Sequence, residues 1–145
     1  MSSDPDGVPK PVPRWRSGLA WAITAAVLLA TLTPAAWVRA LRGGMEGDGG
    51  GPPLFGILPF DKLVHFALFA ALAAGWTWAL PARWSSFSKV LSIVAALSIG
   101  TELLQALPII GRDAGLADGL ADLIGGLSVA SIFGTIRIVR REAGS

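Results

Sequence analysis

The stretch Phe60–Trp76, FDKLVHFALFAALAAGW, decides how this chain is read. It opens with Asp61, Lys62 and the only histidine of the sequence, His65, and then turns almost uniformly apolar. Extended to Leu63–Ala82 it gives 20 residues whose single ionisable side chain, His65, lies close to one end. At 1.5 Å per residue, about 20 apolar residues cross a hydrocarbon layer about 30 Å thick. The segment predicts a membrane-spanning helix with a polar head.

Three more runs follow the same rule. Ser17–Val38 holds 22 residues without a charge, between Arg16 and Arg39. Val90–Gly111 holds 22 interrupted only by Glu102, and Leu116–Ile136 holds 21 containing Asp118 and Asp122. The longest charge-free stretches of these last two, 12 and 14 residues, are short for a span taken alone. Each acid sits toward one end of its window, however, where the cost is well below that at a helix centre. The expectation is an all-α, integral membrane four-helix bundle. Its spans fall at about 17–38, 63–82, 89–109 and 116–137, between a flexible tail over 1–16 and a basic tail over 138–145.

Composition agrees. Of the 145 residues 52% are hydrophobic and 15% charged, with a mean hydropathy of +0.59, more apolar than an ordinary soluble domain. The absence of cysteine removes disulfides, thiolate nucleophiles and thiol redox chemistry. A net charge of +2 and a pI near 9.7 would suit nucleic acid, but the cations flank apolar runs and form no contiguous stripe, so no nucleic-acid partner is expected.

The connections carry turn and linker chemistry. Pro34 should kink or end the first helix. GGMEGDGGGPP after Arg42 is a glycine-rich linker without Gly-Lys-Ser or Gly-Lys-Thr, so it is no phosphate loop. PARWSSFSK and PIIGRDAG separate the later spans. A cleaved signal peptide competes for the first run, whose 22 residues exceed the usual roughly 7–15 of a signal core. Trp15, Trp21, Trp37, Trp76, Trp78 and Trp84 fall mostly near span ends and read as an interfacial belt. No Gly-x-Ser-x-Gly elbow occurs, and Ser128 and Ser131 read as small packing residues.

Four spans put Lys10, Arg14, Arg16, Arg83, Lys89, Arg137, Arg140 and Arg141 on one side, and Arg39, Arg42, Lys62 and Arg112 on the other. Eight cations against four place both termini in the cytoplasm. With that topology, Asp61 and His65 (i, i+4), Glu102 and Gln105 (i, i+3), and Asp118 and Asp122 (i, i+4) all occupy the outer third of the bundle. Ionisable groups at such depth face the bundle interior and point to function. Gly115, Gly119, Ala121, Gly125 and Gly126 would let a neighbouring helix approach the last span.

DKLVHFALF from Asp61, ELLQ from Glu102 and GRDAGLADGLADLIGG from Gly111 together resemble the VanZ-like family of small bacterial membrane proteins. Asp61, Lys62, His65, Glu102, Gln105, Arg112, Asp118 and Gly125 match its marks in order, and Asp122 stands where the family usually has Asn. The resemblance covers the last three spans; the first matches only as an apolar run. It implies a place in the bacterial cytoplasmic membrane and an envelope role associated with teicoplanin resistance, without supplying a reaction.

Four readings follow for the polar residues. They form a structural network, or they bind a lipid-linked cell-wall intermediate or a glycopeptide, with Arg112 and Lys62 on its phosphate or carboxylate. In the third reading they hydrolyse or transfer such a lipid, with His65 as general base, Glu102 or Asp118 orienting it or donating a proton, and Arg112 stabilising developing charge. A variant has His65, Glu102, Asp118 and Asp122 holding Mn or Mg, although no metal or cofactor signature is present. The fourth, a proton-linked transporter, lacks a continuous polar path within four helices. Membrane lipids are the general partner, and the oligomeric state is left open.

Overall fold

The structure, a computed structural model, describes residues 12–34, 37, 60–108, 110 and 115–144. Most of the amino-terminal tail, the glycine-rich linker, the cations Lys10, Arg39, Arg42 and Arg112, and most of the PIIGRDAG loop lie outside the described residues. Among the described residues there are four helices and no strand. They are α1 (Arg14–Leu32), α2 (Phe60–Ala79), α3 (Trp84–Gln105) and α4 (Leu116–Glu142). All four are long and apolar enough to cross a membrane.

Several boundaries differ from the sequence expectation. α1 starts at Arg14, inside the expected tail, and stops at Leu32 instead of reaching Val38. Thr33 is extended (φ −62°, ψ 124°) because the ring of Pro34 disfavours a helical residue before it. α3 begins at Trp84, inside the expected loop, and ends at Gln105. Its serine-rich start is compatible with helix: the Ser86 and Phe87 amides donate to the Arg83 carbonyl, and Ser88 Oγ donates to the Trp84 carbonyl at 3.2 Å. α4 continues to Glu142, so most of the expected basic tail is helical. Arg140 and Arg141 in its last turn suit the negative end of the helix dipole.

Contacts set the arrangement. Lys62 meets Asp118 and His65 meets Asp122, so α2 and α4 run parallel. Ser98 Oγ donates to the Gly119 carbonyl while Phe87 lies against Gly134, so α3 runs antiparallel to α4. Trp15 packs edge-on against Trp78, which sets α1 antiparallel to α2. α2 touches all three other helices and packs most extensively on α4, whereas α1 meets α2 and α3 but not α4 among the described residues.

Small residues make this packing possible. The buried positions of α4 include the four-residue row Asp118, Asp122, Gly126, Ala130, Gly134 and Ile138, with Gly125 beside it. A Cβ at Gly125 would overlap the Phe66 carbonyl oxygen, and one at Gly126 would overlap Val94. At Gly134 it would stand 2.7 Å from Phe87 Cδ2. Gly134 continues the stripe beyond the positions expected from sequence, whereas Ser131 faces outward.

The resulting polarity is inverted relative to a soluble bundle. Buried stripes carry Thr24, Thr31, Ser86, Ser98, Thr101, Gln105, Asp118 and Asp122 beside the apolar core around Phe69, Leu72 and Val94, while Leu29, Ile99, Leu103, Leu120, Ile124, Ile132 and Phe133 are exposed. A contiguous apolar exterior is what a lipid-facing bundle presents and a soluble monomer avoids. Trp76 is the exception among the tryptophans. It is buried, and its indole N–H donates to Thr24 Oγ1 at 3.0 Å, so it is a core residue and not part of a belt.

Gly125→Ala is expected to lower thermal stability in detergent by about 1–3 kcal/mol, because the Phe66 backbone cannot yield as a flexible side chain can. Gly100→Ala, with nothing within 4 Å of the added carbon, is expected to melt like the parent or slightly above it.

Candidate functional site

The parallel pairing of α2 and α4 brings their amino-terminal turns together, and the antiparallel α3 delivers its carboxy-terminal turns to the same level. Asp61, Lys62 and His65 come from α2, Glu102 and Gln105 from α3, and Asp118 and Asp122 from α4. Arg112, expected at this end, lies outside the described residues.

Two charge relays cross from α2 to α4. Lys62 Nζ stands 3.0 Å from Asp61 Oδ2 and also donates to Asp118 Oδ1, so the ammonium bridges two carboxylates. One turn deeper, His65 Nδ1 and Asp122 Oδ1 are 2.9 Å apart and share a hydrogen bond, with His65 buried and Asp122 wholly enclosed at 0% exposure. Helical periodicity produces this ladder: Lys62 and His65 are three apart on α2 and Asp118 and Asp122 four apart on α4, so each helix returns to the same face about one turn, roughly 5 Å, further along.

Glu102 is half-buried against Gly119, where an added Cβ would meet its Cγ at 3.3 Å. It approaches the Asp118–Asp122 turn without an ion pair to either relay among the described residues. Gln105 behaves differently from the sequence expectation. Although it lies at the same level, its amide donates to the Thr31 carbonyl at 2.8 Å. That carbonyl is one of the last four of α1, which have no intrahelical donor, so Gln105 closes the end of α1 and ties it to α3. Only the tertiary structure could reveal this, because both groups lack a partner in their own helix.

The balance of donors and acceptors is uneven. Among the described residues, four carboxylates, Asp61, Glu102, Asp118 and Asp122, face one lysine and one histidine. Asp61 Oδ1, Glu102 Oε1 and Asp122 Oδ2 are buried without a hydrogen-bond partner among the described residues. Such acceptors are uncommon in finished interiors, where unpaired polar atoms cost roughly 1–3 kcal/mol each. The metal variant finds no geometric support: among the described residues no three His, Asp or Glu side chains are arranged to hold an ion. The Ser98 bond to the Gly119 carbonyl was not legible in the sequence, although Ser98 lies one turn before Glu102 on the face that meets α4.

Comparison with protein-family models, curated proteins and solved structures gives no match to this chain. The site is therefore defined by its own geometry.

In a double-mutant cycle, Lys62→Met and Asp118→Asn are each expected to destabilise by about 1–3 kcal/mol, since the first strands Asp118 and the second leaves Lys62 with Asp61 alone. The double variant is expected to lose less than the sum by about 1 kcal/mol or more. Chemical or thermal unfolding in detergent measures this; strictly additive losses would mean that the bridge is not formed.

Proposed function

We propose that the chain is a four-span protein of the bacterial cytoplasmic membrane, resembling the VanZ-like family, whose acid–histidine cluster faces outward and binds a polar envelope ligand. The ligand class is the sugar or peptide portion of a lipid-linked cell-wall intermediate or of a glycopeptide. The observation that carries this reading is Asp122: fully buried, hydrogen-bonded to His65 through one oxygen and, among the described residues, without a partner at the other. A network built only for packing satisfies its buried acceptors. Carboxylate oxygens from three different helices at the same end of the bundle, unpaired among the described residues, match a ligand that brings hydroxyl, amide or ammonium donors. Because Lys62 already bridges two carboxylates, any phosphate contact falls to Arg112.

One further observation favours a second reading, hydrolysis or group transfer on such a lipid. The Asp122–His65 pair has the geometry of a base and its orienting carboxylate, with His65 acting on substrate and Asp122 positioning the ring. Glu102 or Asp118 would then supply the proton.

His65→Ala, Glu102→Ala, Arg112→Ala and Asp122→Asn are expected to abolish teicoplanin tolerance in a susceptible host while accumulating in the membrane, with Glu102→Ala and Arg112→Ala melting like wild type and His65→Ala, which strands the buried Asp122 carboxylate, losing about 1–3 kcal/mol. Loss of stability in step with tolerance would leave the cluster a packing network. For topology, the cation excess predicts that alkaline phosphatase fused after Ser145 is inactive, whereas a fusion within the 43–53 linker is active. The reverse pattern would turn the cluster toward the cytoplasm.

A further inference from the structure

Hydroxyl side chains on a helix commonly turn back to the carbonyl four residues earlier. Thr24 and Thr31 of α1 do so, as do Ser88 and Thr101 of α3. Ser98 departs from this habit. It is 1% exposed, and its hydroxyl leaves α3 to donate to the Gly119 carbonyl of α4 at 3.2 Å.

The same residue of α4 also meets Glu102. A Cβ on Gly119 would stand 3.3 Å from Glu102 Cγ and 3.7 Å from its Cδ, so the stem of the glutamate runs along bare α4 backbone. Ser98 and Glu102 are one helical turn apart and reach the same neighbour. Ser98 belongs to the buried row of α3 with Val94, Thr101 and Gln105, whereas Glu102 is half-buried at the edge of that row. Deeper along the interface the contacts are apolar, with Val94 against Gly126 and Phe87 against Gly134. Only at Gly119 does a glycine of α4 receive a hydroxyl and a carboxylate stem among the described residues.

Gly119 directly follows Asp118 and precedes Asp122 by three, so Glu102 is held beside the turn that carries both acids. A glutamate with freely rotating bonds and two aspartates for neighbours would by itself swing toward water. Instead its Oε1 is buried, and no hydrogen bond at that atom holds it there among the described residues. Its place is set by what its stem touches.

We propose that Ser98 and Gly119 are positioning residues for Glu102. The Ser98 hydroxyl fixes the register and closeness with which α3 meets the first turns of α4, and the absent Cβ at Gly119 leaves the groove in which the Glu102 stem lies. Together they decide how Glu102 shares the site with Asp118 and Asp122. The functional consequence rests on the ligand-binding role proposed above; the positioning is tested apart from it.

The sequence has three glutamates, Glu46, Glu102 and Glu142. Glutamate labelled with carbon-13 at Cδ therefore gives three resonances from the full chain in detergent micelles, with Glu102 assigned through Glu102→Gln. Ser98→Ala is expected to melt close to wild type and to move the Glu102 resonance toward that of the exposed Glu142. Ser98→Thr, which keeps the hydroxyl, is expected to restore the wild-type position. Gly119→Ala, which fills the groove and leaves the hydroxyl alone, is expected to move the resonance as well. Ser88→Ala, whose hydroxyl bonds within α3, is expected to leave it in place. A Glu102 resonance unmoved in both Ser98→Ala and Gly119→Ala, or moved as far by Ser88→Ala, would overturn the proposal. So would a shift that occurs only together with a large loss of melting temperature, because the bond would then serve packing alone. If Ser98→Ala does not fold, Gly119→Ala decides. In the teicoplanin assay Ser98→Ala is expected to lose tolerance with Glu102→Ala, and Ser98→Thr to regain it. A wild type that confers no tolerance, with the Glu102 resonance behaving as expected, would overturn the ligand-binding role and uphold the positioning.

Discussion

The backbone-to-backbone approach of α2 and α4 at Gly125 governs the rest of the molecule. With no side chain at 125, the α4 backbone lies against the Phe66 carbonyl, and at that separation short and medium side chains can meet across the interface. His65 sits one residue before that contact and Asp122 three before it, so the same approach sets the His65–Asp122 hydrogen bond and, a turn away, the Lys62 bridge to Asp118. A larger residue at 125 would separate the helices and strand a buried carboxylate. The polar site is thus a consequence of packing, which supplies a partner for one oxygen each of Asp61, Asp118 and Asp122.

Charge is distributed along the bundle, not around it. Among the described residues, one end holds four carboxylates with Lys62 and His65; the other holds seven cations and Glu142. The alternating helix directions permit this: acids at the starts of α2 and α4 share a level with the acid near the end of α3, and the arginines at the far ends share the other. The donor-bearing ligand proposed for the acidic end follows from that asymmetry.

Much of this was legible in the residues because it depends on local rules. Uninterrupted apolar length marks spans, Pro34 marks the end of α1, and i, i+4 spacing puts Asp118 beside Asp122 and Asp61 beside His65 on their faces. Less was legible where a side chain chooses among partners. Lys62 reads as a cation available to phosphate, yet it is engaged by Asp61 and Asp118. Gln105 reads as part of the polar cluster, yet it closes α1 through the Thr31 carbonyl. The tryptophans read alike, yet Trp76 is a core donor to Thr24. The serine-rich start of α3 and the basic end of α4 read as loop and tail, because polarity in the sequence does not distinguish an exposed helical turn from irregular chain.

By itself, then, the sequence determined four long apolar helices, their alternation, and the level at which the acidic and histidine side chains occur, since these follow from hydrophobic length and helical periodicity. Only the tertiary structure decided that α2 pairs in parallel with α4 and that α1 stays apart from α4. It also decided which carboxylates are neutralised and which oxygens are left unpaired. The reason is physical: periodicity fixes where a residue points on its own helix, whereas partnership depends on how closely two helices approach, and here that is set by the absence of a Cβ at Gly125, Gly126 and Gly134.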